Sequence, residues 1–390
     1  MNNIMDYLAW RGDLTFSVSP LNEVDSYILS QISAVDFSSI VPRSGLSVSI
    51  GEAAEAYDRL HAEDGDYVGV LCSRWSLPML RAIAATERFS DLRLAAFRQK
   101  LDPVTSEQFA AVTVLGLPGG ARFVSFRGTD DTIAGWKENF RIGVENGVPA
   151  QLDALGYLRE AADAFSGKLY VGGHSKGGNL AVYAAASLEE ERQSRIVRVF
   201  SHDGPGFLPG FAESEGYRRM SPRLSVFLPQ SSLVGTLLEQ DYERSVLVKS
   251  DAFGPAAHDG FTWEVSGTAF VRAPSLSLFS RTFDEAMNGV LGGMDTEERR
   301  EFVDAFFEAL TSTGAVTLTD LTEKRLREAI VTARSLRRDK RVQEFVSGVL
   351  GEMLRGYVGE ARAALPSLPQ LGLLHRRRAS QEESGEGKTE

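Results

Sequence analysis

The residues best suited to covalent chemistry lie in Gly173-His174-Ser175-Lys176-Gly177, a G-x-S-x-G stretch. Leu169, Tyr170 and Val171 precede it as a short apolar run suited to a buried strand, and from Gly178 onward Ala, Leu, Val and Tyr recur at helical spacing. A strand that becomes a helix over so few residues forces strained backbone angles on the serine. Its neighbours two positions away must then lack a Cβ for the turn to close. Such a turn lifts Ser175 Oγ above the sheet edge and aims a helix N-terminus at it, where negative charge developing in acyl transfer is favoured. The spacing predicts a nucleophile at Ser175, with a merely structural Gly-rich turn as the alternative.

A serine hydroxyl is too weakly acidic to attack an ester unaided, so it needs a base, and the base needs an orienting acid. Where such triads are built on parallel sheets, the chain order is Ser, then Asp or Glu, then His. Of the five histidines, His61 precedes the motif, His174 is locked inside it and His375 begins the C-terminal tail. His258 sits in a Gly/Pro-containing loop after the last expected strand, where the order requires the base; His202 is the alternative. For the acid, Asp203 ends the strand that follows the nucleophile helix, while capping the Gly204-Pro-Gly206 turn is its competing role. Asp251 and Asp259 are the other choices. Phe126-Arg-Gly-Thr129 ends a β-rich run, and a Gly followed by a hydroxyl residue suits an oxyanion-binding loop, although an ordinary turn reads the same way. Thr129 would offer both its N–H and its hydroxyl.

These side chains must be positioned by a soluble globular fold. The chain has 390 residues, 43% hydrophobic and 24% charged, enough for one large domain and a smaller one. A net charge of −11 argues against general nucleic-acid binding. A single cysteine, Cys72, leaves no internal disulfide framework and no cysteine-based metal site. The first residues lack the basic and apolar regions of a secretory signal, and no stretch reaches the about 18 consecutive apolar residues of a membrane span. A cytoplasmic location is expected.

Apolar spacing predicts helices over Val24–Val35, Gly51–Leu60 and Pro78–Phe89, and a β-hairpin from Ala110–Gly116 and Ala121–Phe126 joined by Leu117-Pro-Gly-Gly120. A helix over Gln151–Phe165 leads into the nucleophile strand. Strands at Ile196–Ser201, Leu224–Leu228 and Val246–Lys249 follow. Strands alternating with helices across residues 110–265 indicate an α/β fold with a mostly parallel sheet. Charged amphipathic helices then occupy Glu297–Leu310, Leu321–Arg338 and Arg341–Ala364. The basic cluster around Arg325 to Arg341 reads as a solvated helix face, with a partner or transient membrane-surface contact as the alternative. The tail from Arg376 is charged and poor in apolar residues, hence expected to be disordered.

Phe126-Arg-Gly-Thr129, Gly173-His-Ser-Lys-Gly-Gly178 and Gly204-Pro-Gly-Phe207 together resemble, in order and spacing, the class 3 (fungal-type) lipases. Within that superfamily the chain is similar to bacterial lipase-like proteins of unassigned function. The resemblance covers about residues 105–265. It implies an α/β-hydrolase fold with Ser175 as nucleophile, His258 as base and the backbone N–H groups of Thr129 and Lys176 as the oxyanion hole. Class 3 lipases usually carry their acid after the strand that here ends at Leu228, but Pro229-Gln-Ser-Ser232 has no carboxylate. The acid is therefore expected one strand earlier, at Asp203, or is missing. Residues 130–145 fill the place of a lid, or form a fixed helix.

The expected organisation is an N-terminal helical or mixed segment (1–104), a hydrolase core (105–282), a C-terminal helical region (283–372) and a disordered tail (373–390). The function expected is hydrolysis of small-molecule or lipid carboxylic esters, with no metal or organic cofactor. A thioesterase or amidase would use the same residues. A catalytically silent binding or scaffold protein, with contacts made by the helical region, is the alternative of a different class.

Overall fold

A computed structural model describes residues 2–62, 74–102, 107–128, 142, 147–240, 244–292, 294–315, 321–336 and 340–363. Its centre is an eight-stranded sheet whose strands lie side by side in chain order. They are β1 (Ser47–Ser49), β2 (Arg93–Asp102), β3 (Glu107–Leu115), β4 (Arg122–Phe126), β5 (Leu169–His174), β6 (Ile196–His202), β7 (Leu224–Pro229) and β8 (Val246–Val248). Pairing is antiparallel from β1 to β4 and parallel from β4 to β8. The hairpin between β3 and β4 turns over Pro118-Gly-Gly120, where Gly119 and Gly120 both take φ of 69°. Only glycine adopts such angles without strain, which is why this sequence makes the turn.

Period-two alternation sends successive side chains to opposite faces of the sheet. In β4, Phe123 joins one core while Val124 and Phe126 join the other. The first core is closed by the N-terminal helices α1 (Ile4–Arg11), α2 (Glu23–Gln31), α3 (Ile50–Leu60) and α4 (Ser76–Ala84). The second is closed by α5 (Pro149–Asp163) and α6 (Lys176–Ser187). These two helices make the crossovers β4-α5-β5 and β5-α6-β6 that parallel strands require. Helices on both faces of a mainly parallel sheet make this an α/β-hydrolase-like fold.

α2 is buried along nearly its whole length, unusually for a helix with polar residues on every face. Asn22 caps it and exchanges hydrogen bonds with Asp25. The Asp25 carboxylate also receives Tyr7 Oη at 2.7 Å and the guanidinium of fully buried Arg88. Each polar group thus has a partner that offsets its desolvation.

Beyond the sheet, a short ribbon of β9 (Val265–Ser266) and β10 (Ala269–Phe270) precedes four helices. These are α7 (Leu278–Gly292), α8 (Thr296–Thr311), α9 (Glu323–Ser335) and α10 (Lys340–Ala363). Their shared core takes in Leu233, Val234, Leu237 and Leu238 from the loop after β7. No helix among the described residues is long and apolar enough to cross a membrane.

The segment before residue 105 contributes β1 and β2 to the sheet, which the apolar pattern did not indicate. β2 carries an irregularity between Ala95 and Arg98, with Ala96 at φ 56°, and a bulge of this kind interrupts the alternation that marks a strand. Helix boundaries differ by a few residues: α4 ends at Ala84 rather than Phe89, and the apolar run after α2 finishes as a 3-10 turn, Ile32–Ala34.

Candidate active site

The turn between β5 and α6 is built as its glycines demand. Ser175 sits at φ 59°, ψ −133°, a conformation that L residues rarely adopt. A Cβ on Gly173 would overlap the carbonyl of Gly177, and a Cβ on Gly177 would overlap the carbonyl of Phe126. The turn is pinned on both sides, with Ser175 N–H donating to His202 O at 2.9 Å and Gly178 N–H donating to Ser175 O at 2.9 Å. Such clamping maintains a strained angle that costs on the order of 1–3 kcal/mol. Gly128 runs against the same turn, since a Cβ there would lie 2.7 Å from His174 O and 3.0 Å from the Cβ of Ser175.

Asp203 and His258 are brought together from the ends of β6 and of the loop after β8. Asp203 is fully buried at φ 49°, and its N–H donates to Phe227 O at 2.8 Å, fixing the carboxylate beside β7. Its Oδ2 lies 2.6 Å from His258 Nδ1. Its Oδ1 accepts from Ser232 Oγ and, at 3.1 Å, from Gly235 N–H. His258 ends the short turn Gly254–His258, with its side chain 15% exposed. A carboxylate at Nδ1 selects the tautomer with the proton there, which leaves Nε2 as a proton acceptor.

His174 supports this imidazole from below. Its ring lies 4.5 Å from that of His258 at an interplanar angle of 33°, and its Nε2 is 2.8 Å from His258 O. Burial, reinforced by the neighbouring His258 and His202, holds His174 well below the usual histidine range. It is therefore neutral and donates to that carbonyl.

Ser175 is 1% exposed, and its Oγ makes no hydrogen bond to any described atom. A hydrogen bond between Ser175 and His258 is thus not formed in this conformation, although Asp203 and His258 are already joined. In unliganded sites such bonds are commonly long or poorly aligned and tighten with substrate.

The alternative base, His202, is engaged elsewhere. It is fully buried, with Nε2 3.0 Å from Ser26 Oγ in α2 and Nδ1 3.3 Å from Gly173 O, and it stacks on Phe227 at 5.2 Å. Burial pushes it down to about 3, so it stays neutral. Among the alternative acids, Asp251 is exposed and Asp259 Oδ1 caps a turn by accepting from Phe261 N–H at 3.1 Å.

Lys176 occupies the first position of α6, where a backbone N–H has no partner within the helix. Its side chain is 2% exposed and its Nζ donates to Gln108 O in β3 at 3.0 Å. Thr129, the other expected oxyanion donor, lies outside the described residues, as does the segment 130–145 apart from buried Ile142.

Several supporting residues were not evident from the sequence. Ser232 and Gly235 hold Asp203 from the stretch after β7, whose first residues, Pro229-Gln-Ser-Ser232, carry no carboxylate. Asn179, fully buried in α6, donates to Pro205 O at 3.2 Å and Gly206 O at 2.9 Å and accepts from Gln151 Nε2 at 2.8 Å. It thereby ties the Gly-Pro-Gly loop to α5 and α6. Its place four residues after the serine, one helical turn along, was the available clue. No group of His, Cys, Asp and Glu among the described residues is arranged to hold a metal ion.

A family model described as Mbeg1-like matches residues 83–308, more than half of the chain. No curated protein matches it. Among solved structures, the Rhizomucor miehei lipase in its propeptide complex is 16% identical with a TM-score of 0.33, covering 58% of this chain and 86% of that one. The M37 lipase is 13% identical with a TM-score of 0.35, covering 68% of this chain and 90% of that one.

Proposed function

This chain belongs to the Mbeg1-like family, and from that premise we propose that it is a cytoplasmic serine hydrolase of lipase or esterase type acting on small-molecule or lipid carboxylic esters. The observation that carries the reading is the buried Asp203–His258 pair at 2.6 Å beside a strained serine turn. A structural turn has no need of a fully buried carboxylate aimed at an imidazole, nor of the strain at Ser175.

In the proposed reaction Ser175 Oγ attacks the ester carbonyl while His258 Nε2 takes its proton. Asp203 holds the ring in the correct tautomer and offsets the charge of the imidazolium that forms. The carbonyl oxygen, now an oxyanion, is received by the N–H groups of Lys176 and Thr129. The first of these carries the partial positive charge of the α6 N-terminus. Collapse expels the alcohol, which takes the proton from His258, and leaves an acyl group on Ser175. Water then attacks the acyl-enzyme with His258 again as base, releasing the acid and restoring the serine. Thioesters and amides pass through the same steps, so the leaving group is a matter for substrate screening.

The test is labelling with a fluorophosphonate probe, beside Ser175→Ala and His258→Ala. Labelling that is lost in both variants supports the activated serine. A folded wild-type protein that stays unlabelled, with and without detergent, would sink the hydrolase reading in favour of a binding or scaffold role.

A further inference from the structure

Helix α7 touches the loops that carry both the acid's supports and the base. The hydroxyl of Ser280, fully buried, donates to the carbonyl of Ser232. Ser232 Oγ in turn donates to Asp203 Oδ1, and Gly235 N–H donates to both Asp203 Oδ1 (3.1 Å) and Ser232 Oγ (2.9 Å). About two turns further along α7, Asn288 Oδ1 accepts from Leu238 N–H at 3.1 Å and its Nδ2 donates to Thr236 O at 3.4 Å. Towards the base, Phe279 packs on Phe253 with ring centroids 5.4 Å apart, and Gly254 lies against the same ring. Gly254 opens the turn that ends in His258.

Asp203 Oδ1 thus takes its donors from a loop that the backbone holds at its two ends, by Gln230 N–H to Val248 O in β8 and by the Phe207–Glu239 bridge, while Ser232 and Gly235 lie between these ties. Ser232 O accepts from Thr236 Oγ1 within the loop, at 3.4 Å, and from Ser280 Oγ, which ties the middle of the loop to α7. A catalytic carboxylate must be held to within about 0.5 Å of its productive position, and a displacement of about 1 Å costs on the order of 100-fold in rate. We infer that Ser280 and Asn288 are positioning residues for the triad, and that α7, through these two side chains, is the buttress of the catalytic acid. The inference rests on the hydrolase reading proposed above. It gives α7 a role inside the reaction rather than beside it.

The experiment compares full-length wild type with Ser280→Ala, Ser280→Thr, Asn288→Ala and Val349→Ala. Val349, 1% exposed, lies in the helical core on α10 and contacts neither loop through any hydrogen bond described above. Steady-state hydrolysis of a short p-nitrophenyl ester is measured with thermal unfolding. Ser280→Ala is expected to lower kcat about 10- to 100-fold with KM within about twofold of wild type. Ser280→Thr, which keeps the donor, is expected to recover most of the loss. Val349→Ala is expected to lower Tm while leaving kcat in place. Wild-type kcat in both Ser280→Ala and Asn288→Ala would overturn the inference, as would an equal fall in Val349→Ala, which would reduce the role of α7 to general stability. If Ser280→Ala does not fold, Asn288→Ala carries the same reading. A wild-type protein that neither hydrolyses ester nor takes the probe fails at the earlier step and overturns the hydrolase reading itself.

Discussion

Replacing Asp203 by Asn isolates the acid with almost no change in volume, and the surroundings dictate how the amide must sit. Oδ1 faces Ser232 Oγ and Gly235 N–H, and the backbone N–H can only donate. The Asn oxygen must therefore stay on that side, which turns its NH2 group towards His258 Nδ1, 2.6 Å away in the native pair. A donor there requires Nδ1 to accept, so the imidazole proton moves to Nε2, the atom that receives the serine proton in the proposed reaction. Reversal of the tautomer in a triad of this kind costs about 10⁴-fold in kcat, or about 5.4 kcal/mol at 1.36 kcal/mol per tenfold. KM is expected to change little, because Asp203 is fully buried behind His258. The assay is steady-state ester hydrolysis together with the rate of fluorophosphonate labelling, on protein shown by circular dichroism to be folded. A folded Asp203→Asn protein within tenfold of wild type would refute this assignment, most directly if Asp251→Asn or Asp259→Asn were the inactive variant.

Ser175→Gly should abolish labelling and raise stability by about 1–2 kcal/mol, since it removes strain on the order of 1–3 kcal/mol at the cost of some backbone entropy; unchanged or lower Tm would contradict the strain at φ 59°. Gly177→Ala should lose more than about 3 kcal/mol and all labelling, because the new methyl meets the backbone of Phe126 and no side chain can yield; a soluble, labelled variant of near-native Tm would show that the turn is not closed as described. Acid should destabilise the fold well above the carboxylate range. His202 titrates near 6.5 when unfolded but at about 3 when folded, so between those values the unfolded chain binds the extra proton. This contribution is fully present above pH 6.5 and is lost at up to about 1.4 kcal/mol per pH unit as pH drops towards 3, with His174 adding in the same direction. Urea unfolding at pH 7, 6 and 5 reads this directly, and a flat profile would refute it.

The turn around Ser175 was legible in the sequence because its glycines are imposed by contacts within a few residues, and Gly173 and Gly177 meet each other across it. The β3–β4 hairpin was legible for the same reason, through Pro118-Gly-Gly120. Asp203 and His258 were suggested by chain order, which reflects sheet topology. What the sequence did not disclose depends on segments that meet only after folding. Ser232 and Gly235 are neutral residues in an unremarkable loop until the Asp203 carboxylate arrives from β6, and Ser280 acquires meaning only when α7 docks on that loop. His174 looked enclosed by its turn, yet its ring and Nε2 meet a residue 84 positions away. β1 is only three residues long, too short for periodicity to declare itself against the surrounding turns.

The two outer strands of the sheet bear on how this molecule behaves in a crowd. An exposed strand edge is a template on which another chain can add a strand, and long flat edges invite fibrous association. Here β8 spans Val246–Val248 and is overlaid by the returning chain, with Lys249 N–H donating to Val271 O and Ala273 N–H to Leu247 O, each at 2.8–2.9 Å. At the opposite margin β1 offers Ser47–Ser49, and the guanidinium of Arg93 reaches across to Ser47. A run so brief, flanked by a fixed cation, gives an incoming strand little to register on. Growth by sheet extension is thereby hindered at β8 and at β1, while β2 runs on past Ala95 beyond its pairing with β1.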